Sequence, residues 1–257
     1  MKKFFEKLCA LPLAREAGIL LAALLARYGI GLFGGWYMQL LFLRAGLYDG
    51  AVVPGWAAFL SEAGNGILTL CAALVVLLCI AKPEKISLRA LCPGGIAAAV
   101  SAGILLLADS VRYAPAVPDA ADCVNLLGVV AWCFAACAVI GKILRKAEIG
   151  RPLLRCVLSA AAFAALMPVS GGGWLYWVNL LLAGALLAAW PEAGAGYAAW
   201  AMLWEAPFGA FTGRGLLRTV SEEWLVGATP AGGGMLTAIL VGGIVIRLIR
   251  KNGRKNS

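Results

Sequence analysis

Histidine is absent from all 257 residues. That removes the commonest neutral metal ligand and the one side chain whose ordinary pKa lies near neutrality. Charge is scarce as well. Asp, Glu, Lys and Arg make up 14% of the chain, against about 25% in soluble domains, which excludes an ordinary soluble globular class. What is abundant is apolar: 62% hydrophobic residues and a mean hydropathy of +0.88. The composition is that of a polytopic membrane protein.

Crossing a hydrocarbon core of about 30 Å takes roughly 20 helical residues, with roughly 17 at the lower end. Eight apolar runs meet or approach that length, near 17–43, 63–81, 94–111, 122–141, 153–168, 172–190, 194–210 and 231–249. The expected fold is all-α, a polytopic transmembrane helix bundle of about eight spans. Lys2, Lys3 and Lys7 precede the first run as they would in a signal peptide, but that run is too long and lacks a small-residue cleavage site, so it is expected to stay as an anchor. Little sequence is left over, and residues 1–257 read as a single integral membrane domain. Within it, N-terminal helices occupy 1–122 and a second helical unit 123–250.

Lys and Arg are enriched in short cytoplasmic loops, and here they alternate from loop to loop. One face collects seventeen: Lys2, Lys3, Lys7, Arg15, Lys82, Lys85, Arg89, Lys142, Arg145, Lys146, Arg151, Arg155, Arg247, Arg250, Lys251, Arg254 and Lys255. The other has Arg44, Arg112, Arg214 and Arg218. The expected topology is a multi-pass protein of the plasma membrane with both termini cytoplasmic. The net charge of +9 follows from these span ends, which meet anionic headgroups. No recognition motif accompanies it, so the bilayer is the expected partner and nucleic acid is not.

Eight cysteines raise metal and disulfide chemistry. Cys133 and Cys137 share a helix face at four-residue spacing. Two thiols without histidine fall short of the four ligands of a zinc site, and most of the cysteines lie in apolar runs, where free Cys packs as a small hydrophobe. Charges inside spans are functional candidates because of their cost in the bilayer. They are Arg27 in the first run, Glu62 at the start of the second, Asp109 near the end of the third and Glu205, after Trp204, in the seventh. Arg27 is expected to pair with one of these acids or to reach toward an interface, and Glu205 to be satisfied by backbone or by Arg27.

From about 124 to 250 the pattern resembles the CAAX protease and bacteriocin-processing intramembrane metallopeptidases. Phe163-Ala-Ala-Leu-Met167 is similar to that family's Phe-x-x-x-His, and Ala201-Met-Leu-Trp204-Glu205 to its His-x-x-x-Asn. Phe208-Gly209, Thr212-Gly213, Glu223-Trp224-Leu225-Val226-Gly227 and Gly232-Gly233-Gly234 are similar to its ending. Lys85-Ile86-Ser87-Leu88-Arg89 resembles its short basic loop. The resemblance implies a CAAX-protease-like core and, in active members, a divalent metal such as zinc.

The departures fall on the chemistry. Cys137 and Ala138 stand at the paired-glutamate positions and Gly141 and Lys142 at those of Phe and Arg. Met167 stands at the first histidine, Ala201 and Glu205 at the second histidine and the asparagine. A hydrolytic metal needs about three protein ligands and an open position for water. Without it, general acid–base catalysis contributes about 10² to 10⁴, short of what amide hydrolysis requires. The expectation is a scaffold without catalytic residues, metal or other cofactor, which binds a peptide or a membrane protein. Glu205, Trp204, Arg27 and Asp109 are its binding candidates. Two alternatives stay open. One is a small transporter or transport subunit, for which Gly29, Gly31, Gly34, Gly35 and Pro207 would supply broken helices. The other is a peptidase with ligands relocated to Glu62, Asp109, Glu205, Glu222 or Glu223. Reporter fusions at either terminus are expected to give cytoplasmic signal, and an extracytoplasmic signal would contradict the topology.

Overall fold

The computed structural model describes residues 14–44, 54–81, 91–96, 99, 113–115, 117–146, 152–167, 174–204 and 217–219. These are helical apart from short connections and one pair of three-residue strands. Helix α1 is Ala14–Arg44. Helix α2, Gly55–Val75, continues into a π-helical segment, Val76–Ala81. Strand β1 is Tyr113–Pro115; α3 is Ala120–Lys146, α4 Pro152–Leu166, α5 Trp174–Ala189 and α6 Pro191–Trp204; β2 is Leu217–Thr219.

Three of these helices are long and apolar enough to cross a membrane: Ala14–Arg44, Gly55–Ala81 and Ala120–Arg145. At 1.5 Å per residue the first, of 31 residues, extends about 46 Å, beyond a hydrocarbon core of about 30 Å. Helices α4, α5 and α6 have 15, 16 and 14 residues, about 21–24 Å each. The expected run at 231–249 and most of that at 94–111 lie outside the described residues.

Local chemistry sets the starts of α2 and α3, and both precede the expected apolar runs. Pro54 stands in extended backbone, and its carbonyl accepts from the N–H groups of Ala57 and Ala58. Helix α2 therefore begins at Gly55 rather than at the expected residue 63, and Glu62 lies exposed in its second turn. At α3, Asp122 N–H donates to Asp119 Oδ1 at 2.7 Å while Asp119 N–H faces Asp122 Oδ2 at 3.4 Å. This reciprocal cap satisfies N–H groups that have no partner within the helix.

The core forms where α3 packs on α2, with α1 across both and α4, α5 and α6 completing the bundle. Three contacts fix how α2 and α3 lie. Asn125 Nδ2 donates to Glu62 O at 2.9 Å; Gly66 meets Gly128; Lys142 Nζ donates to Ile80 O. The partners rise together along both helices, so α2 and α3 run parallel in register over about 27 Å.

At the crossing the backbones touch. A Cβ on Gly66 would stand 2.5 Å from Asn125 Cα, and one on Gly128 would overlap the Gly66 carbonyl. By contrast α1 is antiparallel to α2, since Gly34 lies against Leu68 and Gly64 against Met38. The chain reverses between α5 and α6 at Trp190-Pro191. Residues seven apart in one helix are separated by about 10 Å, yet a Cβ on Gly194 would stand 2.8 Å from Leu187 Cα. Proline removes the N–H that would have continued α5. Strands β1 and β2 pair antiparallel, Tyr113 opposite Thr219 and Pro115 opposite Leu217.

Because Gly66 and Gly128 meet backbone that cannot yield, Gly66→Ala or Gly128→Ala is expected to destabilise the protein by about 1–3 kcal/mol. Gly29→Ala and Gly35→Ala, where nothing lies within 4 Å, are expected to be neutral or stabilising by up to about 1 kcal/mol. Denaturant unfolding in detergent followed by circular dichroism measures both.

Candidate functional site

Of the residues on α1, only Ala23 and Arg27 are buried. Their spacing of four places them on one face, and that face meets α3. The Arg27 guanidinium carbon lies 5.6 Å from the centroid of the Trp132 ring, within cation–π range, an interaction of about 2 kcal/mol when desolvated. Trp132 is 1% exposed, and its Nε1–H donates to Leu166 O at 2.8 Å. That bond satisfies a carbonyl at the end of α4 which the helix leaves without an internal partner. A charge on α1, a ring on α3 and a helix end on α4 form one chain of contacts.

Arg27 is 9% exposed, and among the described residues its Nε–H has no hydrogen-bond acceptor. Among the described residues its partner is an aromatic face and not an acid. Glu62 is exposed on α2, and Asp109 and Glu205 lie outside the described residues. Gly31 lies one turn beyond Arg27, and a Cβ there would meet Nη1 at 3.6 Å, an ordinary contact.

The positions singled out by motif are partly assembled. Cys137 and Met167, 8% and 1% exposed, belong to the same apolar core, and Ala138 packs against it. Lys142 reaches the end of the π segment through Ile80 O. Ala201 and Trp204 lie in the last turn of α6. Helix α3 packs on both α4 and α6, so the helices that carry these positions adjoin. Cys133 and Cys137 are both buried in this core, and the described cysteines form no disulfide with one another. Among the described residues no three Cys, Asp or Glu side chains lie close enough to hold a metal. Glu222 and Glu223 lie outside them.

No family model, curated protein or solved structure matches this chain. The likeness to the CAAX-type peptidases thus rests on motif order and spacing.

Sequence reading passed over Trp132 and Asn125. Trp132 sits one residue before the Cys133/Cys137 pair in an apolar run, where nothing distinguishes a core tryptophan from one that holds a cation. Asn125 carried a better signal, since a buried amide in a membrane helix needs a partner. It donates to Ala121 O on its own helix and to Glu62 O across the interface. Trp132→Phe keeps a ring under Arg27 but strips the donor from Leu166 O. It is expected to cost about 1–3 kcal/mol, and Trp132→Ala about 3–5 kcal/mol, read from unfolding midpoints in detergent.

Proposed function

We propose that this chain is a multi-pass protein of the plasma membrane with about eight spans and both termini cytoplasmic. Its second half is a catalytically silent counterpart of the CAAX-type intramembrane metallopeptidases, which binds a peptide or membrane-protein ligand in a regulatory role. Its partners are the bilayer and that ligand.

The observation that carries the non-catalytic reading is the state of Cys137 and Met167. Both stand where the resemblance implies metal-site residues, and both are packed into the apolar core. A hydrolytic site needs an open coordination position for water, and a close-packed core offers none. Lys142, at the position of an arginine, is engaged with the backbone of Ile80.

Two features support the topology. The parallel register of α2 and α3 accords with one further span between them in the sequence, for which the apolar run 94–111 is the candidate. The pairing of β1 with β2 brings residues 113–115 and 217–219 together. Arg112, Arg214 and Arg218 fall on one face in the charge pattern, in agreement with it.

Elemental analysis of the purified protein, together with a cleavage assay on peptides of the family type, tests the reading. The expected result is no stoichiometric transition metal and no metal-dependent hydrolysis. Bound metal with chelator-sensitive cleavage that Glu205→Gln abolishes would overturn it.

A further inference from the structure

We propose that Arg27, seated on Trp132, anchors a carboxylate carried on an apolar body, taken up between α1 and α3, of which a long-chain fatty acid is the simplest form. This names the ligand chemistry for a core that binds rather than cleaves, and in that sense it rests on the function proposed above.

Four observations converge on it. A buried cation is ordinarily paired, yet among the described residues Arg27 meets the Trp132 ring and its Nε–H finds no acceptor. A buried polar group left in that state points to a bound water, ion or ligand. The ligand's charge follows from the site's: one guanidinium is neutralised by one monoanion, and Arg27 is the buried cation of α1.

Depth selects among monoanions. Arg27 is the fourteenth residue of a helix of 31, about 20 Å from its start and close to its middle. Phospholipid phosphates lie at the surface of a core about 30 Å thick and do not reach it. The surroundings select the rest of the molecule. Ala23, Leu20, Leu24 and Ile30 on α1 pack with the apolar core, and at Gly31 the helix has no side chain beside Nη1, which a Cβ there would approach to 3.6 Å. A carboxylate accepts charge-assisted hydrogen bonds from the guanidinium on that side, while an acyl chain lies along the helices.

The test measures binding of radiolabelled oleate to the full-length protein in phosphatidylcholine nanodiscs, with empty nanodiscs subtracted. Saturable binding is expected, competed by unlabelled oleate and not by methyl oleate, which has the same chain without the charge. Hydrogen bonds to charged groups contribute about 1.5–3 kcal/mol, so Arg27→Gln is expected to weaken binding at least about tenfold, while Arg27→Lys retains part of it. Gly31→Leu, which keeps Arg27 but fills the space beside Nη1, is expected to abolish it. Equal competition by methyl oleate, unchanged binding in Arg27→Gln or no saturable binding overturns the proposal. If Arg27→Gln does not fold, the comparison of acid with ester on the unaltered protein decides. Loss of oleate binding leaves the non-catalytic reading standing; metal-dependent cleavage removes that reading and leaves the Arg27 site intact.

Discussion

The contact of Gly66 with Gly128 is the constraint on which the rest of the structure depends. In a bilayer the hydrophobic effect does not drive helices together, because lipid tails are as apolar as the side chains; close packing and interhelical hydrogen bonds do. With no side chain on either helix at the crossing, the α2 and α3 backbones meet directly. That approach brings Asn125 to Glu62 O at one end and Lys142 to Ile80 O at the other. Register, direction and separation of the central pair follow from this short patch. The position of Trp132 follows from where α3 then lies.

The same logic recurs between α4 and α5. Ser159 Oγ donates to Gly184 O, at a point where a Cβ on Gly184 would stand 2.6 Å from Ala160 Cα. A small residue permits approach, and a polar group then bonds the exposed carbonyl. Arg27 departs from the pattern, since it brings a full charge into an interface otherwise held by dispersion and single hydrogen bonds. The aromatic face beneath it recovers part of the cost of desolvation. A functional site is where a local rule is most often broken.

Some of this was legible in the chain. The apolar runs at 17–43 and 122–141 correspond to α1 and α3, and the spacing of Cys133 and Cys137 placed both thiols on one face, as found. Trp190-Pro191 is readable as a break because proline cannot continue a helix. The start of α2 was not legible from hydropathy, since Ser61, Glu62 and Asn65 interrupt the apolar pattern there. Pro54 sets that start, and Asn125, 63 residues away, binds within the stretch. Of the glycines in α1, Gly34 serves a close contact with Leu68 while Gly29 and Gly35 meet nothing within 4 Å. The sequence treats them alike because the difference lies on another helix.

By itself, then, the sequence determined the solvent in which this protein folds, because composition decides whether a chain can be soluble. It also determined the helical class, because the backbone must satisfy its own hydrogen bonds in lipid. The absence of histidine constrained the chemistry before any fold was known. Tertiary structure alone decided that Arg27 meets Trp132, and that Cys137 and Met167 share one packed core. The residues so brought together lie about 105 and 30 positions apart in the chain. These arrangements depend on which helix faces reach one another, and a periodicity local to each helix does not encode that.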